Sequence, residues 1–99
     1  MIVVRDIFHL KFGKAKDARA LLNEVKGLAK KHGFADVRIL ADLVTGHSYT
    51  FIQESNWESL SAWENSMKSG LGQEDFQNWY QKFIPLCDSA SREIYSIVE

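Results

Sequence analysis

Along this chain the hydrophobic period changes from two residues to about 3.6 and back again, and that succession leaves few ways for it to fold. Residues 2–12, "IVVRDIFHLKF", are rich in Ile, Val and Phe with broken alternation and read as a strand. In the following "GKAKDARALLNEVKGLAKKHG", Ala18, Leu21, Leu22, Val25, Leu28 and Ala29 recur at three- and four-residue steps, which predicts an amphipathic helix. Gly33 supplies the residue that commonly ends such a helix, and Lys30 and Lys31 sit at the negative end of its dipole. Gly27 falls on the outer face, where it costs about 1 kcal/mol relative to Ala.

Two alternating segments come next, "ADVRILADLV" and "HSYTFIQES", separated by Thr45-Gly46, a two-residue connection suited to a tight hairpin. That turn places Val44 opposite His47 and Arg38 opposite Gln53. One face then collects Val37, Ile39, Ala41, Leu43, Thr50 and Ile52, and the other Arg38, Leu40, Asp42, Tyr49, Phe51 and Gln53. Residues 56–71 predict a second helix with Ser55 or Asn56 as N-cap, with Leu60, Met67 and Leu71 along its centre and Trp57 and Trp63 at opposite edges. "GQEDFQNWYQKF" predicts a third, with Phe76, Trp79, Tyr80 and Phe83 on one stripe and Pro85 ending it. The alternating "SREIYSIVE" reads as a last strand.

The expectation is one α+β domain over residues 1–99. It is a ferredoxin-like split βαββαβ arrangement with a broken or double second helix and an antiparallel four-stranded sheet. Helices can cover only one side of such a sheet, and the other would show Ile7, Leu40, Tyr49 and Phe51 to water. A contiguous apolar patch of that kind marks an interface, so a homodimer joined sheet to sheet is expected, closing a dimeric α/β barrel. On the first strand Ile2, Val4, Phe8, Leu10 and Phe12 share the parity that faces the helices, but Asp6 shares it too. A bulge or an end effect is the expected remedy, with Val3, Arg5, Ile7 and His9 on the sheet-to-sheet face.

Twelve basic residues are scattered among thirteen acidic ones, giving a net charge of −1, so no footprint for nucleic acid is present. A single cysteine, Cys87, precludes an internal disulfide and reads as a packed thiol; no paired Cys/His spacing suits zinc. No stretch approaches the ~20 apolar residues of a membrane span, and the chain starts on a strand-like run, so a cytoplasmic protein without membrane contact is expected.

Candidate site residues follow from the faces. Arg5, His9, Arg38, Asp42, Tyr49 and Gln53 project from three strands into the space between sheet and partner, where charge is costly unless paired or bound. Either they form a network that pins the dimer register, or they hold an anionic or carbonyl-bearing small molecule. In the second case Arg38 or Arg5 is the anchor and His9 the acid or base. Trp57 and Trp63 either pack over the sheet margin or, for Trp63, wall a ligand in a cleft between helix and sheet. His32 and His47 read as exposed and structural, and no Ser-His-Asp nucleophile motif is present.

The strand pattern, the "W-E-x-L-x-A-W" stretch followed by an aromatic helix, and the need to dimerise through the sheet resemble the dimeric α/β-barrel superfamily. That group includes antibiotic-biosynthesis monooxygenases, haem-degrading monooxygenases and NIPSNAP-type proteins. "VVRDIFHLKFGK" is similar to the NIPSNAP-type strand with an Arg followed by Leu-Lys-Pro-Gly-Lys, with Phe12 in place of the proline. The resemblance implies a small aromatic or amphipathic ligand and, as an enzyme, a cofactor-independent monooxygenase; the alternative is a non-enzymatic NIPSNAP-like dimerisation or interaction module. Haem degraders of the superfamily use an Asn on the first strand, a helical Trp and an iron-binding His. Trp63 matches the Trp, but His9 stands in the first-strand region and residues 72–84 carry no histidine, so neither haem nor another cofactor is expected.

Overall fold

A computed structural model describes residues 1–34 and 37–98. Strand β1 (Ile2–Leu10) leads to helix α1 (Ala15–Lys31), strands β2 (Val37–Ala41) and β3 (Thr50–Trp57), helices α2 (Leu60–Leu71) and α3 (Glu74–Phe83), a single 3-10 turn (Ile84–Leu86) and strand β4 (Cys87–Ser96). The four strands pair antiparallel in the order β2-β3-β1-β4, the ferredoxin-like split βαββαβ arrangement with its second helix in two pieces. The expected ends of the second and last strands, at Ala35, Asp36 and Glu99, and the side chain of Leu71 lie outside the described residues.

Helix α1 forms as its periodicity requires. Ala18, Leu22, Val25 and Ala29 are buried, and Leu21 and Leu28 pack at the margins. The sharp turn that feeds it uses Gly13 at φ +81°, and Gly33 at φ +75° releases the chain after His32; both angles favour glycine. Lys31 and His32 at the end of α1 meet Asp75 in the first turn of α3, at 3.0 and 3.3 Å. On α3, Trp79 stacks on Phe83 with ring centroids 4.9 Å apart, Phe83 meets Phe8 edge-on, and the Trp79 indole donates to the carbonyl of Leu21. Burying the indole is therefore compatible with satisfying its N–H. Tyr80 does not share this stripe: it is 54% exposed, because the inward arc of a ten-residue helix is filled by Phe76, Trp79 and Phe83.

Several expectations need correction. The hairpin is not closed by Thr45-Gly46: β2 stops at Ala41, β3 starts at Thr50, and Arg38 faces Glu54 while Ile39 faces Gln53. The loop between them is tied by side chains. Asp42 accepts from the backbone N–H groups of Tyr49 and Thr50, and Thr45 and Thr50 hydroxyls both donate to the His47 carbonyl. Tyr49 takes φ 61° to complete it. A slip of one residue reverses every side chain of a strand, so Phe51 and Gln53 face the helices and Ile52 and Glu54 the open side. The slip puts a phenylalanine, 3% exposed, into the core where the tight hairpin would have put a threonine.

The second helix begins four residues later than expected. Trp57 ends β3 opposite Ile2, its indole donating to Ser55 Oγ, and Ser59 caps α2 by accepting from the Ala62 N–H. The sheet ladder holds residues 56 and 57, so Trp57 and Trp63 do not share a helix, and Leu60 in the first turn is half exposed. β4 starts at Cys87 instead of residue 91, with the Cys87 thiol partly buried beside the Phe83 carbonyl. Phe12 lies beyond β1 and is 84% exposed. The parity of β1 is otherwise as expected, and Asp6 needs no bulge: the ladders run in register past it on both sides, and the irregularity against β4 falls between His9 and Leu10.

This register makes a direct prediction. Phe51→Ala should destabilise the fold by about 3–5 kcal/mol, as loss of a buried aromatic does, in urea unfolding. Tyr80→Ala should cost under about 0.5 kcal/mol.

Candidate functional site

The sheet carries two polar constellations, one on each side. On the open side a single rung crosses all four strands as Arg38, Glu54, Arg5 and Glu93, alternating in sign. Glu54 is only 6% exposed and takes both guanidinium groups: Arg5 Nε at 2.7 Å on one carboxylate oxygen and Arg38 on the other. Arg38 first and Arg5 second hold the Glu54 carboxyl below the ordinary glutamate range, against the cost of burial, and Glu54 in turn raises the pKa of Arg5. The Arg5 guanidinium also lies 5.6 Å from the centre of the Tyr95 ring, whose hydroxyl donates to Glu93. The next rung is apolar, Leu40, Ile52 and Ile7, ending in Ser91. Beyond it lie Thr50, His9 and Ser89, with the His47 ring stacked on His9 at 3.9 Å between centroids.

On the helix side the rung Ile39, Gln53, Asp6, Arg92 is polar at three of its four positions. Arg92 Nε donates to Asp6 at 2.5 Å, and its guanidinium lies 5.1 Å from the centre of the Trp63 ring on α2. The pair is reachable from solvent: the Asp6 side chain is 20% exposed and that of Arg92 44%. Among the described residues nothing else engages the terminal nitrogens of Arg92.

The residues expected to share one interior face are thus divided by the sheet. Arg5, Arg38 and His9 stand on the open side. Gln53 joins the helix-side rung, and Tyr49 packs at the edge of the core, edge-on to Phe12. Asp42 spends both carboxylate oxygens on the loop backbone, so neither it nor Gln53 pairs with Arg38. Three residues that the sequence reading missed organise the two sites: Glu54, Asp6 and Arg92. A signal for Asp6 was present, an acid in the helix-facing parity of β1, which is a misfit only until a cation is placed opposite it.

No protein-family model and no curated protein matches this chain in sequence. Solved structures do match its fold. An uncharacterized NIPSNAP domain protein from Burkholderia xenovorans superposes with a TM-score of 0.86 at 12% identity, over 99% of this chain and 95% of that one. A NIPSNAP family protein from Agrobacterium tumefaciens gives 0.78 at 19% identity, over 99% and 93%. A structure described as an antibiotic biosynthesis monooxygenase gives 0.77 at 12% identity and covers all of both chains. The chain has the ferredoxin-like α+β fold of these proteins, as the resemblance implied. No described helix is long and apolar enough to cross a membrane.

Because the folded-state pKa of Glu54 is depressed, its contribution to stability is complete above the unfolded value near 4.3 and is lost as pH falls through the lower folded value. Glu54→Gln should therefore destabilise at pH 7, by about 1–3 kcal/mol since the two arginines can rehydrate, and should flatten the acid limb of a urea stability profile measured from pH 7 to pH 2.

Proposed function

We propose that two copies of this chain pair through the open sides of their sheets, and that each binds a small aromatic or amphipathic molecule between α2 and the sheet, at Trp63, Arg92, Asp6 and Gln53. One observation carries the ligand site: a solvent-reachable ion pair roofed by an indole, set into the side of the sheet that otherwise belongs to the apolar core. Each group has a use. The indole is an apolar wall for a flat ligand. Asp6 fixes Arg92 through Nε alone, which leaves the terminal N–H groups to donate to a carbonyl, carboxylate or phenolate oxygen. Gln53 offers an amide opposite Asp6. The pairing of copies rests on the open side, where no described helix covers the apolar rung of Leu40, Ile52 and Ile7.

As an enzyme, this site suits cofactor-independent oxygenation of an electron-rich aromatic. Arginine donors aimed at a phenolic oxygen favour its ionised form, which is the form that dioxygen attacks most readily. The likeness in fold to an antibiotic biosynthesis monooxygenase structure supports this reading. A non-enzymatic interaction module is the second reading, and a specific observation favours it: Glu54 already occupies both arginines of the open side, as a register-setting network would.

Native mass spectrometry of the purified protein should show a dimer that retains a small molecule, with the added mass lost in Arg92→Met while the dimer persists. Dioxygen uptake with phenolic probes should fall at least tenfold in the same variant. A clean dimer without uptake establishes the module reading, and a monomer at tens of micromolar overturns the sheet-to-sheet pairing.

A further inference from the structure

The charges of the open side constrain how a second copy can meet it. Among the paired residues of the ladders, every Arg, Asp or Glu side chain on that side belongs to one rung, and from β2 to β4 the signs read plus, minus, plus, minus for Arg38, Glu54, Arg5 and Glu93. Read from the other edge, the same row is its own complement. Its ends stand on the two free edges of the sheet, and its cations stay within reach, with 69% of the Arg38 side chain and 43% of that of Arg5 exposed. The rung of Leu40, Ile52, Ile7 and Ser91 that follows carries no formal charge.

Two identical sheets that meet by the same side are related by a two-fold axis lying between them. Such sheets pack about 10 Å apart, either aligned to within about 30° or crossed near 90°. An axis along the strands keeps height and reverses strand order, so β2 lies over the partner's β4 and β3 over the partner's β1. Every charge of the rung then meets its opposite: Arg38 meets the partner's Glu93, Arg5 meets the partner's Glu54, and symmetry repeats both contacts. The apolar rungs meet as well, with Ile7 against the partner's Ile52. An axis across the strands instead lays each strand over its own copy. Centred on the charged rung it opposes like charges at every position, and centred elsewhere it sets that rung against residues without formal charge. Crossed sheets let the two rungs meet at one place only.

We propose that the two copies pair about a two-fold axis running along the strands between β3 and β1, set by Arg38 with the partner's Glu93 and by Arg5 with the partner's Glu54. This inference rests on the pairing of open sides proposed above and adds its direction and register. Arg5 and Glu54 are already joined within each copy, so the two rungs merge into one network of alternating charge. Both Trp63–Arg92 pairs are left on the outer layers, away from the contact.

Spin labels read the axis without touching the rung. Phe12 and Glu58 lie just beyond opposite ends of the central strands. Labels on Phe12→Cys and on Glu58→Cys, each in a Cys87→Ser background, should both give separations under about 30 Å across the dimer, because the axis keeps height; an axis across strands rising ~3.3 Å per residue sends at least one pair beyond about 35 Å. Glu93→Lys should raise the dimer dissociation constant at least tenfold in sedimentation, since it sets a cation against Arg38 at both symmetry-related contacts. A dimer with one label pair beyond about 35 Å, or unchanged affinity in folded Glu93→Lys, overturns the axis and leaves the pairing of open sides standing. A monomer at tens of micromolar overturns both. If Glu93→Lys does not fold, the label separations decide by themselves.

Discussion

Every residue of β2 and β3 takes its side of the sheet from one register, in which Ile39 faces Gln53 and Ala41 faces Phe51. Because side chains alternate strictly along a strand, that register determines at once that Phe51 completes the core with Phe8, Trp79 and Phe83 and that Glu54 stands between Arg5 and Arg38. The loop from residue 42 to residue 49 is what makes it attainable. Its carboxylate and hydroxyl ties to the backbone replace the hydrogen bonds that a tight turn would have supplied.

The open side answers the cost of burying charge by cancelling it in place. Opposite signs on directly facing positions stabilise a sheet, and the rung from Arg38 to Glu93 repeats that pairing three times across four strands. Glu54 can be nearly removed from water because each of its oxygens has its own guanidinium. A face built in this way would strand no charge on meeting a second sheet, as the proposed pairing of copies requires.

The helix side uses the same device. Asp6 and Arg92 cancel each other across β1 and β4 beneath Trp63, yet the pair stays partly exposed, and among the described residues no other group hydrogen-bonds to the terminal nitrogens of Arg92. The fold, shared with NIPSNAP domain proteins and an antibiotic biosynthesis monooxygenase structure at identities of 12–19%, carries many chemistries. In such a fold the side chains of the site, and not the architecture, decide the chemistry.

The order of elements, the buried stripe of α1, the aromatic core of α3 and the parity of β1 were all legible in the sequence, because each depends on a period that a segment carries within itself. Arg5, Arg38 and His9 were placed on the correct side for the same reason. Glu54, Asp6 and Arg92 were not found as a set, since Glu54 lies 49 residues from Arg5 and Arg92 lies 86 from Asp6. Tertiary structure alone decided the hairpin register, the end of β3 at Trp57, the inward face of Phe51 and Gln53, and the stacking of His47 on His9. The physical reason is common to all four: local turn chemistry permits more than one register, and only the gain from burying Phe51 and extending the ladder to Ile2 selects among them.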